Sequence, residues 1–407
     1  MDVKTLRLLC RQLQAAVPEM RSEQDRAVWL LGLCQCVLWG VLYYSFSVLL
    51  VPLEHALATT RTVVAGAFSV GLIAMASVAP QVGRWLDSGH AGTVTRWGLS
   101  LAITGLLLLG LSDGVVTLYV AWLVMGIAMA LLLYEPAFIL VMRAILEPRH
   151  RLRALAAVTI MGGLASTVFL PLTSYVISAW GWRVAVLSGV GALLLVACVM
   201  EVWVMPALPA TENTQAPSTW RHKAWPRYMP SLAIIFSTGS LASITLTTLL
   251  IPFLMERGTS AETAAIVLAA FGAAQLPGRI WLLRQTRALS ETTLTTAPIV
   301  LMVAGMLGVT LAPGPWLSLA AVSVFGLGAG LQTLAKPWLV QAIYGNSAAG
   351  QWNGEIARAQ GFARALTPVA VASVSVSLSI QVVLVVMIML LAATIPIAHR
   401  LRATHGN

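Results

Sequence analysis

Residues 94–141 read VTRWGLSLAITGLLLLGLSDGVVTLYVAWLVMGIAMALLLYEPAFILV, with Ser112-Asp113-Gly114 as the turn signal that divides them. On either side lies an apolar run of about 20 residues, the length that carries a helix across the hydrocarbon layer. Two helices joined by a tight turn satisfy their own backbone N–H and C=O groups in lipid, which loops or open strands of this composition would not. The rest of the chain repeats the pattern. Apolar runs start near Val28, Val63, Val94, Val116, Leu155 and Val184, and again near Leu232, Ala264, Leu294, Leu317, Phe362 and Val382. The expectation is an all-α membrane protein of twelve transmembrane helices in two pseudo-symmetric six-helix bundles.

Composition points the same way. Of 407 residues, 58% are hydrophobic and 10% charged, whereas a soluble domain carries about 25% charged residues to wet its surface. So few charges cannot cover a water-exposed surface of this size. A formal charge of +10 would suit a nucleic-acid partner only if it lay along one soluble face, and here the cations fall between apolar runs. Four cysteines, Cys10, Cys34, Cys36 and Cys198, show no disulfide or metal spacing. The chain shows no phosphate loop, zinc pattern or nucleophile elbow. Neither an enzyme nor a cofactor is expected.

Between the two sets of six lies a polar stretch holding Pro206, Pro209, Pro217, Pro226 and Pro230, with Arg221, Lys223 and Arg227. It cannot build its own core and reads as a linker. The expected domains are a tail at 1–26, a bundle at 27–205, a linker at 206–229, a bundle at 230–402 and a short tail at 403–407. In the first tail Val3, Leu6, Leu9, Leu13 and Val17 recur at helical spacing with Lys4, Arg7 and Arg11 between them, the pattern of a basic amphipathic helix on the membrane surface. With the N-terminus inside, inner tails and loops hold 18 of the 25 Lys and Arg, and outer loops hold three, Arg61, Arg183 and Arg257. That bias puts both termini in the cytoplasm. The usage of 22 Arg against three Lys suggests a bacterial, GC-rich source and hence the inner membrane.

An internal repeat supports two related halves. The second span ends Gly83-Arg84-Trp85-Leu86 and the eighth Gly278-Arg279-Ile280-Trp281-Leu282; the fourth carries Glu135-Pro136 and the tenth Lys336-Pro337. With these features the chain resembles the major facilitator superfamily over nearly its whole length. That superfamily carries a Gly-x-x-x-Asp loop after its second helix, matched here by Gly83 and Asp87, though Ser88 and His90 replace basic or glycine positions. The resemblance implies that Asp87 ties neighbouring helix ends together in one gate state.

Within the superfamily, Tyr43-Tyr44-Ser45-Phe46-Ser47 running to Pro52-Leu53, Gly66-Ala67-Phe68-Ser69, and Ala264-Ala265 leading through Gly272 to Arg279 are similar to bacterial monocarboxylate porters. Animal members pair an Asp and an Arg four apart on the eighth helix. This sequence keeps the arginine as Arg279 and has Gln275 in the aspartate's place, and its first helix lacks a lysine. The resemblance therefore carries over the anion-binding arginine but not the proton relay.

Ionisable groups within spans cost about 2.5–3.5 kcal/mol each on insertion scales, so they are expected to face a wet crevice or each other. They are Glu135, Arg279, Lys336, Arg358 and Arg364. Four cations against one carboxylate favour a negatively charged substrate. Arg279, with Gln275 one turn away, suits a two-pronged grip on a carboxylate; snorkelling to headgroups is its bland alternative. Arg364, Tyr43 and Tyr44 complete the expected substrate set, and Tyr134 offers a further hydroxyl. Glu135 and Lys336 are expected to meet as a gate pair, with Glu135 a candidate for proton uptake; a static packing pair is the alternative. Arg358 follows Glu355 by three residues and reads as a local pair.

The reading is a monomeric secondary transporter that moves a small organic anion, a monocarboxylate, by alternating access, with proton symport as an option. Its partners are that anion, protons and membrane lipid, with no nucleic acid. Efflux of hydrophobic drugs or toxic metabolites is the first alternative. A non-transporting membrane receptor is the second.

Overall fold

The computed structural model describes residues 23–208, 226–284, 291–345, 348–377 and 379–401. The expected amphipathic tail helix, most of the linker and the C-terminal tail lie outside these residues. Among the described residues twelve long helical units follow one another. The first half comprises α1 (Glu23–Ala56), α2 (Arg61–Asp87), α3 (Ala91–Gly110), α4 (Val115–Ala144), α5 (Pro148–Gly163 and Ala165–Trp180) and α6 (Trp182–Ala207). The second comprises α7 (Met229–Glu256), α8 (Ala261–Arg284), α9 (Glu291–Leu311), α10 (Pro315–Tyr344), α11 (Ala349–Ser377) and α12 (Ile380–His399). Short turns join successive antiparallel helices; Gly181, at φ +84°, is the whole connection between α5 and α6, a backbone angle natural only to glycine. An even number of helices in each half returns the chain to one end, the termini-side end.

Three starts differ most from the expected ones: α1 begins at Glu23 rather than near Val28, α5 at Pro148 rather than near Leu155, and α11 at Ala349 rather than near Phe362. The early turns of α1 and α5 are charged and lie outside the apolar runs. The first turns of α11 carry Gln351, Asn353, Glu355 and Gln360, of which Asn353, Glu355 and Gln360 are buried. Polar residues buried inside protein lower a segment's hydropathy although it is helical.

The halves meet mainly where α2 lies against α11 and α5 against α8. Small residues let the backbones touch, as is usual between membrane helices. A Cβ on Gly83 would collide with the Gly350 carbonyl, and one on Gly354 would lie 2.5 Å from that of Ala79. Helix α4 is interrupted at Leu133, whose ψ of −159° is extended. Pro136 follows, lacking the N–H that would bond the Leu132 carbonyl four residues back. Gln35 of α1 supplies it instead, its Nε2 donating to Leu132 O at 2.7 Å.

Candidate functional site

Four of the five expected intramembrane charges converge between the halves. The break in α4 starts a new helix at Tyr134 and sets Glu135 in its first turn. Lys336 of α10 reaches across from the second half, its Nζ hydrogen-bonded to Glu135 Oε1 and, at 2.9 Å, to Gln360 Oε1 of α11. Gln360 in turn donates to Ser240 Oγ at 2.9 Å and to the Phe236 carbonyl of α7 at 3.2 Å. Four helices thus share one polar chain, built around a lysine only 5% exposed. A buried charge is tolerable when paired and hydrogen-bonded, and Lys336 is both. The other carboxylate oxygen, Glu135 Oε2, is buried without a hydrogen-bond partner, which leaves it open to a proton or a donor from a substrate.

Arg279 points into the protein and not toward headgroups, being 4% exposed. Its Nη1 donates to the Thr159 carbonyl of α5 at 2.7 Å, and its Nη2 to Gln275 Oε1 at 3.1 Å. The Tyr134 hydroxyl shares that carbonyl, donating to Thr159 O at 3.4 Å, and stands within electrostatic reach of the guanidinium. Gly163 makes the room, since a Cβ there would stand 2.6 Å from Nη1. The guanidinium therefore spends one donor on the opposite half and one on its own helix in this state, while Nε stays buried and unpartnered. Gln275, expected beside the substrate, orients the arginine.

Arg364 differs from both. It lies midway along α11, half-buried, and makes no hydrogen bond or ion pair among the described residues. Tyr44 and Lys336 both stand within its electrostatic reach. Tyr44 also senses Arg279, so this tyrosine of α1 faces the cations of the second half. Tyr43, next along, packs against Phe68 of α2 with ring centres 5.5 Å apart. The site wall thus holds three cations, Arg279, Lys336 and Arg364, and one carboxylate, Glu135. Arg358 stands apart, paired locally to Glu355 at 2.5 Å.

Nearer the termini-side end two more links cross between halves. The Asp87 carboxylate accepts from the backbone N–H groups of Gly350 at 2.8 Å and Gln351 at 2.7 Å, in the first turn of α11. Helix N-termini favour an anion there. Arg143 braces the same corner by donating to the Leu86 and Asp87 carbonyls. Arg151 of α5 donates to Gln341 Oε1 of α10 at 2.6 Å. Outside the spans, Glu147 caps α5 by accepting from the His150 and Arg149 backbone N–H groups, and the His150 N–H in particular holds its carboxyl below the usual value. All these cross-half bonds fall in the termini-side half of their helices. Among the described residues no cluster of His, Cys, Asp and Glu is placed to hold a metal.

The sequence reading brought Glu135 to Lys336 and Arg358 to Glu355. It missed Thr159, whose contribution is a backbone carbonyl, and Gln360, which lies one turn before Arg364 in the polar opening of α11 and was legible by that spacing.

The family model of the Major Facilitator Superfamily matches residues 28–368. No curated protein sequence matches the chain. Several solved structures share its fold. The E. coli fucose:proton symporter FucP is 14% identical, with a TM-score of 0.70 over 93% of this chain and 98% of that one. The human organic anion transporter MFSD10 is 14% identical, with a TM-score of 0.71 over 94% of this chain and 100% of that one. The proton:xylose symporter XylE, solved with 6-bromo-6-deoxy-D-glucose, is 12% identical, with a TM-score of 0.70 over 91% of this chain and 94% of that one.

Proposed function

The chain belongs to the major facilitator superfamily, a family of multi-pass membrane transporters, and on that premise we propose that it carries a small organic anion, a monocarboxylate, by alternating access. The observation that carries this reading is Arg364, a half-buried guanidinium without a protein partner among the described residues, beside Lys336 and sharing Tyr44 with Arg279. An unpaired cation at membrane depth is costly unless something negative visits it. A carboxylate there would gain charge-assisted bonds from Arg364 and compete with Glu135 for Lys336. Arg279 then serves as a cross-half brace whose Thr159 bond must break when the halves rock. The subtype is close to the bacterial monocarboxylate porters, acting as a monomer in the inner membrane.

With the termini in the cytoplasm, the latched end is the inner gate. Asp87, Arg151, Glu135–Lys336 and Arg279 hold it shut in this state. Opening it requires breaking the Glu135–Lys336 pair, which protonation of Glu135 or arrival of the anion at Lys336 would do. That links anion flux to protons, a symport.

Uptake into proteoliposomes under an imposed pH gradient tests the proposal. Radiolabelled monocarboxylates should accumulate, and Arg364→Gln should remove uptake while the protein still purifies as a single species. Full uptake by that variant rejects the anion site. The rival reading, export of hydrophobic compounds, draws on the aromatic wall of the first half. It would gain if apolar cations were transported and carboxylates failed to compete.

A further inference from the structure

A five-residue π-turn, Gly40–Tyr44, interrupts α1 near its middle, closed by the Ser45 N–H on the Gly40 carbonyl. Such turns are rare and concentrate at functional sites. This one is wedged open by Phe169 of α5, whose ring a Cβ on Gly40 would overlap. It presents Tyr43 and Tyr44 side by side, ring centres 5.3 Å apart. From Tyr43 the rings continue to Phe68 and then to Phe46, which stacks on Phe68 at 4.1 Å with planes 6° apart. From Tyr43 in the other direction lie Trp39 and Tyr134, the latter donating to the same Thr159 carbonyl as Arg279.

Packing alone does not account for this wall. Tyr43, Tyr44, Phe46, Phe68 and Tyr134 all remain partly exposed. Tyrosine hydroxyls away from bulk water normally find a partner. Neither the Tyr43 nor the Tyr44 hydroxyl has one among the described residues, and Tyr44 is the one within reach of Arg364 and Arg279. A short aliphatic acid would use the cations and leave the rings idle. A flat π-system would use both, since offset or edge-on ring pairs gain over plain apolar contact.

Building on the anion reading above, we propose that the substrate is an aromatic carboxylate. Its carboxylate is held by Arg364 and the Tyr44 hydroxyl, and its ring lies against Tyr43 and Phe68. The aromatic wall is the specificity element, and the cations are the affinity element.

The test measures equilibrium binding to the purified full chain by quenching of tryptophan fluorescence, backed by competition in proteoliposomes. The probes are phenylacetate, cyclohexylacetate of matched charge and bulk, acetate, and neutral 2-phenylethanol. Phenylacetate should bind about tenfold tighter than cyclohexylacetate, the gain of a favourable ring pair. Phe68→Leu and Phe46→Leu should each shrink that ratio toward one while cyclohexylacetate affinity holds within about twofold. Two variants are used so that a folding defect in one does not decide the outcome. Tyr44→Phe should weaken both acids alike. Equal binding of the two acids, or an unchanged ratio in both leucine variants, overturns the aromatic proposal and leaves the anion site standing. Binding of acetate but not phenylacetate does the same. If 2-phenylethanol binds as tightly as phenylacetate, or no probe binds, the anion reading itself falls.

Discussion

The two halves of this transporter share one architecture and carry opposite chemistry. Glu135-Pro136 in α4 and Lys336-Pro337 in α10 stand at equivalent places, 201 residues apart, and meet at the interface. Around Glu135 the first half sets rings, with Trp39, Tyr43, Tyr44 and Tyr134 in mutual contact. Around Lys336 the second half sets Gln360 and Arg364, and on α8 it adds Arg279 with Gln275. A repeated fold determines where two residues will face each other, but not whether they attract. Two lysines there would repel, and two glutamates would compete for a proton. The difference in sign turns a duplicated helix into a latch, and the surplus of cations on one side gives the interface between the halves its polarity.

Breaking the pair on one side should have the largest effect. Lys336→Met leaves Glu135 without its cation in a mostly buried interface, and removing one member of a buried pair costs about 3–5 kcal/mol. Adding Glu135→Gln should restore most of the lost stability, because the double replacement removes both charges. Thermal denaturation in detergent reads this directly, and a double variant no more stable than the single one would show that the halves are not joined there.

Next comes the cation surplus. Arg364→Gln should lower anion affinity by roughly 100-fold, the scale for losing one partner of a desolvated charge pair, with little change in melting temperature because no described residue bonds the guanidinium. A matching fall in stability would make Arg364 a packing residue. Smaller again is Glu135→Gln alone, which strips the one carboxylate from the wall. Uptake should lose its dependence on the pH gradient, and anion affinity should rise several-fold from reduced competition for Lys336. Uptake that tracks the gradient as before would remove the proton role from Glu135.

The smallest effect is expected within one half. Arg96 of α3 holds Glu201 of α6 through two bonds at 2.8 and 2.9 Å, but its side chain is 68% exposed. Pairs open to water contribute little, so Arg96→Gln should leave both melting temperature and uptake unchanged. The contrast with Lys336→Met, a similar bond in a buried cross-half position, measures what burial adds.

Much of this could be read along the chain. Apolar runs located the spans, since each must match the membrane's thickness by itself. The charge–proline repeat placed Glu135 opposite Lys336 because the second half copies the first. Other features left no such trace. The early start of α11 was hidden because its polar turns face protein, and hydropathy does not tell protein from water. Arg279 was expected to hold substrate; in this state its shortest bond goes to the Thr159 carbonyl, a group every residue carries and no sequence marks.

The sequence by itself therefore determined the number of helices, their pairing into two halves and which charges lie at membrane depth. These follow from transfer energies and spacings that each segment obeys alone. Only the tertiary structure decided which of the cations within the spans is paired and which, among the described residues, has no partner. That depends on where the halves touch, and whether Arg279 finds a carbonyl while Arg364 finds none is set by the shape of the partner surface, to which residues more than a hundred positions away contribute.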